Sequence, residues 1–268
     1  GAPLDIHTGG KDLVFPHHSN EIAQSVAGAG DGVHAESYAR YWMHNGFLEI
    51  DAVKMSKSLG NFLTVKQVRE RWDAEALRLF LLGTHYRNDF NFADGLLDEA
   101  EKRLRYLYDT LARADAVCAG AVPGRAPPGP LQDLLPRAGE ALDDDFNTAA
   151  GLGHLAEAFT AANALADGKG KRSPEERGAL ARFAADARAV GAVLGILGRP
   201  PSEALLALRS RAASRRGIDP ALVEARIAER AAARKARDFA RSDAIRDELS
   251  GMGVEIKDGP QGTAWTVA

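Results

Sequence analysis

The chain has 268 residues, 45% apolar and 26% charged, enough to bury a substantial core and to form more than one domain. Its net charge of −3 excludes a globally basic nucleic-acid binder and leaves such a role only to a local patch. The one cysteine, Cys118, excludes an intrachain disulfide framework and suits a reducing cytoplasm, and no apolar run approaches the ~18–20 residues that cross a bilayer.

The opening "GAPLDIHTGG" has no initiator methionine and none of the basic and apolar blocks of a signal peptide, and it reads as a truncated or processed piece. "PLDIH" predicts a short buried strand running into the glycine turn "HTGGKD". Pro16 then suits the first turn of a helix over "HHSNEIAQSVAGA". "ESYARYWMH" predicts a second helix and "GFLEI" a strand, so residues 1–62 are mixed α/β. Residues 63–116 turn helical, with Leu97, Ala100, Leu104, Leu107 and Leu111 on one face. "CAGAVPGRAPPGP" reads as a linker over 117–130, with Cys118 in it. Residues 131–215 predict an antiparallel helical bundle. A last unit, 216–268, holds two helices, a stop at Gly253, and two short strands about a glycine–proline turn.

Four stretches carry chemistry. In "HTGGKDL", Gly9 and Gly10 let backbone approach a ligand, and Asp12 can accept hydrogen bonds from a ribose. In "PHHSNE", His17 and Glu21 stand four apart on one helix face, half of a tetrahedral zinc site, with His7 and His18 as geometric possibilities; exposed histidines at a helix start are the alternative. "KMSKSLGN" interleaves lysines, serines and a glycine, as suits a mobile loop that clamps phosphates. In adenylate transfer from ATP, Lys57 as principal clamp and Lys54 as helper would stabilise charge building on pyrophosphate. Between Leu205 and Ser250 there are eleven Lys/Arg against seven Asp/Glu, a basic excess on an acidic chain. "DAEALR" and "LDDDFNT" read as helix starts, with Asp73 a cap and Arg78 on the bundle surface.

"KMSKS" resembles the second signature of class I aminoacyl-tRNA synthetases. "DIHTGGKDLVFPHHSNEIAQS", "YWMHNGFLEIDAVKMSKSLGNF", "DAEALRLFLLGTHYR", "LDDDFNT" and "GPQGTAW" resemble the cysteinyl-tRNA synthetase family in particular, along essentially the whole chain. The resemblance implies an α/β fold that becomes mainly α: the C-terminal part of a Rossmann-type catalytic domain, a DALR-type helical bundle and a small α+β anticodon-binding domain. It implies ATP-dependent activation of L-cysteine, with Mg2+, and transfer to the 3′ end of tRNA(Cys) by a cytoplasmic monomer. It further implies a zinc ion held by His17 and Glu21 with two cysteines, a substrate pocket at His7, and adenosine held by Gly9, Gly10 and Asp12. Arg234, Asp243, Asp258 and Trp265 become anticodon contacts, with a plain core role the alternative for Trp265, and Phe239 a stacking or core residue. The family's "HHENE" is "HHSNE" here. Its zinc cysteines and HIGH-type signature belong upstream of Gly1, so the expectation is that this polypeptide alone does not activate cysteine. Two alternatives are a cysteine ligase acting on an amino sugar and a non-catalytic tRNA-binding protein derived from a synthetase.

Overall fold

The structure is a computed structural model that describes residues 4–29, 38–50, 53–54, 64–127, 129–168, 170–259 and 262–267. β1 (Leu4–Gly10) pairs in parallel with β2 (Ala39–Asn45), from Leu4↔Ala39 to Gly10↔Asn45. Parallel strands need a crossover connection, and α1 (Ser19–Ala29) lies between them in the chain. The predicted helix over "ESYARYWMH" is therefore wrong from Ala39 onward, where the chain is β2. Tyr41 and Trp42 are strand-favouring side chains, and pairing with β1 decides the conformation over any local preference. Pro16 does open the helical path, because Phe15 before it is extended (φ −137°, ψ 135°). A second sheet joins β3 (Leu48–Ile50) antiparallel to β4 (Val53–Lys54) and parallel to β5 (Phe90–Phe92).

The stretch from Thr64 to Leu82 reads as one helical pattern but is two helices. α2 (Val65–Arg71) opens with a capping box, in which Thr64 and Gln67 satisfy each other's backbone N–H groups. α3 (Ala74–Leu82) opens at Asp73, whose carboxylate accepts from the Glu75 N–H at 2.9 Å. α4 (Asp94–Cys118) buries Leu97, Ala100, Leu104, Leu107 and Leu111, as its periodicity predicts. Cys118 is buried at the end of this helix rather than lying in the linker.

α5 (Leu134–Asp143), α6 (Thr148–Ala166), α7 (Pro174–Leu194) and α8 (Pro201–Arg215) complete the bundle with α4, around Tyr108, Phe159, Phe183 and a set of leucines and alanines. α7 shows why these helices end where they do. Ser173 and Glu176 form its capping box, Pro174 occupies the first turn, and Gly195 at φ 68° supplies the left-handed stop. α9 (Pro220–Lys235), α10 (Phe239–Gly251), β6 (Val254–Gly259) and β7 (Gly262–Val267) form the last unit, with Gly253 at φ 78° turning the chain between α10 and β6.

Three cores result: one in the bundle, one in the last unit, and a smaller one around Val68, Trp72, Leu77, Phe92 and Leu97. α8 is shared, since Ala204 and Leu208 lie in the bundle core and Ala213 in the core of the last unit. Among the described residues no helix is long and apolar enough to cross a membrane.

Candidate functional site

The βαβ unit draws one cluster together. His7 sits on β1, and its Nε2 is 2.8 Å from Glu21 Oε2 on α1. The other carboxylate oxygen, Oε1, lies 3.4 Å from His17 Nε2. A tetrahedral zinc ion with bonds near 2.1 Å separates its ligand atoms by about 3.4 Å, so His17 and Glu21 are spaced to share one cation. His18 is 3% exposed, and its Nδ1 meets His44 Nε2 at 2.8 Å. Ligand atoms of His7, His18 and Glu21 all fall within 4.8 Å of one another, a set that shares Glu21 with the pair read from the sequence but not His17. Burial, followed by the neighbouring His7 and His44 rings, holds the His18 pKa below its ordinary value. The aromatic wall is Tyr38 and Trp42, each packed against His7 with centroids at 5.5 and 4.9 Å. Burial, with the Glu21 carboxylate beside it, raises the Tyr38 phenol.

His44 and Trp42 are the residues that sequence reasoning missed. The register sets His7 opposite Trp42 and Gly9 opposite His44, and alternate strand residues share a face. Read as a strand, "YWMH" would have brought both to the cluster. Gly9 has a packing reason as well, because a Cβ there would lie 2.8 Å from the His18 ring. At Gly10 a Cβ would meet the Asp12 carboxylate at 2.5 Å, and Asp12 itself is exposed beside this turn. Lys11 reaches away to Asp89, with Nζ–Oδ2 at 2.7 Å. Of the lysine loop, the backbone of Lys54 pairs with Glu49 across β3–β4, while Lys57 lies outside the described residues.

The last unit assembles a second constellation. Asp258 on β6 accepts from Arg230 at 2.8 and 3.0 Å, from Arg234 at 2.6 Å and from Thr263 at 2.7 Å. The Arg230 guanidinium and the Thr263 hydroxyl hold the Asp258 carboxyl far below the usual range. Arg234 and Asp258 are thus brought together. Asp243 on α10 is exposed, with Arg246 at 3.7 Å, and its charge acts on Arg230 of the same constellation. Trp265 is 3% exposed, and its Nε1 donates to Glu224 at 2.7 Å. It is a core residue, with no free face on which a base could stack. Phe239 is 64% exposed at the start of α10 and is the available aromatic surface. The two quieter segments behave as helix starts, with Asn147 capping α6, while Asp145 accepts from Tyr86 at 2.6 Å and from Arg87.

Comparison with known proteins matches three family descriptions in order along the chain. These are the tRNA synthetases class I (C) catalytic domain over residues 1–102, the DALR domain over 138–198 and the cysteinyl-tRNA ligase anticodon binding domain over 219–265. A cysteine–tRNA ligase of Anaeromyxobacter dehalogenans (strain 2CP-C) is 66% identical over 267 residues, covering 100% of this chain and 54% of the relative. One from Oleidesulfovibrio alaskensis is 47% identical over 272 residues, covering 99% and 55%. The fold is also similar to Agrobacterium radiobacter LeuRS in a ternary complex with tRNA and LeuAMS, with a TM-score of 0.53, 22% identity, and coverage of 77% of this chain and 27% of that one. Mycobacterium tuberculosis methionyl-tRNA synthetase bound by methionyl-adenylate gives a TM-score of 0.51, 20% identity, and coverage of 76% and 44%. With likeness along its whole length, the chain belongs to the cysteine–tRNA ligase family of class I synthetases, and it spans about half the length of the curated relatives it matches.

Proposed function

We propose that the chain is part of a cysteine–tRNA ligase that activates L-cysteine with ATP and transfers it to the 3′ end of tRNA(Cys), as a monomer in the cytoplasm. One observation carries the reading: the catalytic, DALR and anticodon-binding descriptions occur in order on a chain 66% identical throughout to a cysteine–tRNA ligase. The anticodon-binding match over 219–265 favours tRNA over an amino sugar as acceptor.

In the first step the cysteine carboxylate attacks the α-phosphorus of ATP, forming cysteinyl-adenylate and releasing pyrophosphate. Lys57, helped by Lys54, neutralises the leaving pyrophosphate where its charge grows, and Mg2+ arriving with ATP would supply further positive charge there. Gly9 and Gly10 admit the adenosine close to backbone, and Asp12 accepts from its ribose. In the second step a hydroxyl of the terminal ribose of tRNA attacks the acyl carbon and AMP leaves. His7, anchored by Glu21 and packed against Trp42, is assigned to the amino-acid pocket. The imidazole–carboxylate pair His17 and Glu21 fits zinc in donor type and spacing and would hold it. A bound zinc ion would select cysteine over serine by affinity for the soft thiolate. In the last unit Arg234 and Asp258 supply fixed hydrogen-bonding groups for anticodon bases, Asp243 a further carboxylate, and Phe239 a stacking face. The test is cysteine-dependent ATP–pyrophosphate exchange and charging of tRNA(Cys) by the full-length gene product. Exchange with another amino acid, or charging of an amino sugar instead of tRNA, would overturn the reading.

A further inference from the structure

A cleft of about 480 Å3 opens where α4, α8 and β7 meet, below the end of α2. That volume is in the range of small-ligand sites, which favour junctions between packed units. Its floor is aliphatic, built from Leu205, Leu208 and Ala212 of α8, with Leu206 at the rim. Its walls are charged, and most of that charge is already spent. Asp94 holds Arg71 at 2.8 Å; Asp98 accepts from Trp72 at 2.8 Å and Arg215 at 3.2 Å; Glu101 accepts from Arg215 and from the Asp73 N–H.

Three arginines on the same walls have N–H groups to spare: Arg216, exposed at the end of α8, Arg209 and Arg105. The Arg209 guanidinium lies 4.6 Å from the Trp265 ring centroid and has no hydrogen-bond or ion-pair partner among the described residues. Arg105 makes one hydrogen bond, to the Val267 carbonyl at 3.2 Å. Asp109 is the remaining acid on the wall; burial raises its pKa, against the opposing charges of Arg105, Arg113 and Lys257. Free guanidinium N–H groups form a fork that matches a carboxylate, phosphate or sulfonate, and stacking on an indole fixes its plane. An aliphatic floor beneath such a fork suits a compact apolar body. It does not suit an RNA backbone, which would also run against the acids at the rim.

We infer that this cleft binds a small amphipathic anion, with an apolar body on Leu205, Leu208 and Ala212 and an acidic head held by Arg105 and Arg209. The site is independent of the catalytic reading: it uses none of the residues assigned to catalysis, and it touches the last unit at Arg216 and along β7 from Ala264 to Val267.

The probe is anilinonaphthalene sulfonate, followed by its fluorescence on titration into the protein. The expected result is one saturable site that weakens at least tenfold in Arg105→Gln/Arg209→Gln, with the thermal midpoint within a few degrees of wild type. Uncharged phenylnaphthylamine should bind the wild type at least tenfold more weakly than the sulfonate does. Leu206→Asp, at a position 55% exposed and so tolerant of change, should also weaken the probe while preserving the fold. Equal affinity in the double arginine variant, or equal affinity of the charged and uncharged probes, would overturn the inference. So would competitive displacement by tRNA together with loss of tRNA binding in the variant, which would make the cleft an RNA surface.

Discussion

Replacing Arg199 by methionine removes the charge that seals α3 to the bundle. In the native chain its Nη1 and Nη2 bond both oxygens of Asp73 at 3.0 and 2.9 Å, and its Nε bonds Glu75 at 2.9 Å. The partner side chains are 7% and 11% exposed and Arg199 itself 33%, so the acids are buried and the cation reaches water on one side. Stripping one partner from a buried pair costs about 3–5 kcal/mol, most of it from the carboxylate left unpaired. Two features reduce that figure. Asp73 keeps the Glu75 N–H, and Glu75 keeps the Tyr108 hydroxyl at 2.8 Å and the Leu197 N–H. The expected loss is about 2–3 kcal/mol, or about 5–10 °C in the thermal midpoint for a chain of this size. Urea unfolding and calorimetry read it directly. The triple variant Arg199→Met/Asp73→Asn/Glu75→Gln should recover at least half of the loss, because asparagine still caps α3 and no buried charge remains. A single variant within about 0.5 kcal/mol of wild type, or a triple variant no better than the single, would refute the account of a buried charge at this seam.

Three further outcomes follow from named contacts. His17→Ala or Glu21→Ala should weaken zinc uptake about tenfold or more, measured by cobalt substitution spectra and metal content; unchanged metal content in both would remove them as ligands. Gly46→Ala places a Cβ 2.1 Å from the Asn88 carbonyl oxygen and should cost about 1–3 kcal/mol, whereas Gly153→Ala in the open face of α6 should gain up to about 1 kcal/mol; equal midpoints for the two variants would contradict this. The Arg87 and Tyr86 hydrogen bonds lower the Asp145 carboxyl from 3.8 to about 2. A depressed native pKa stabilises above the unfolded value and is lost on acidification, so wild type should lose more stability than Asp145→Asn between about pH 4 and pH 2. Parallel acid melting curves for the two would show that Asp145 contributes nothing.

The helical part was legible because one face must repeat every 3.6 residues, and Leu97 through Leu111 on α4 do so without interruption. Capping chemistry was legible at Asp73 for a similar reason, since it depends on residues only two or three positions away. The sheet of the βαβ unit was not. Whether "YARYWMH" is helix or strand depends on β1, more than 30 residues earlier, and the wrong choice hid Trp42 and His44 from the cluster. His17 and Glu21 could be paired by helical spacing alone, but the contact of His7 with Glu21 spans 14 residues and needs the crossover. In the last unit a tryptophan in a short strand carried no signal of which face it took. The structure turns Trp265 inward and leaves Phe239 outward.

Dispersion and charge are divided unevenly in this molecule. Each of the three cores is apolar, but the seams between them are joined largely by arginine. Arg199 binds α3 to the loop after α7, Arg215 binds α8 to Glu101 and to the Arg71 carbonyl, and Arg211 reaches the Arg69 carbonyl. Such contacts are directional, and truncating one leaves a buried group unpaired, so they fix how α8 lies against α2 and α4 more sharply than leucine packing would. The same reasoning separates structural from available arginines. Arg199 and Arg215 have all their geometry taken up by carboxylates and carbonyls, and a ligand could gain nothing from them. Arg105 and Arg209 line the same junction with one carbonyl, one indole and the charge of Asp109 between them, over an aliphatic floor. With N–H groups to spare over that floor, they offer an incoming anion donors already in place.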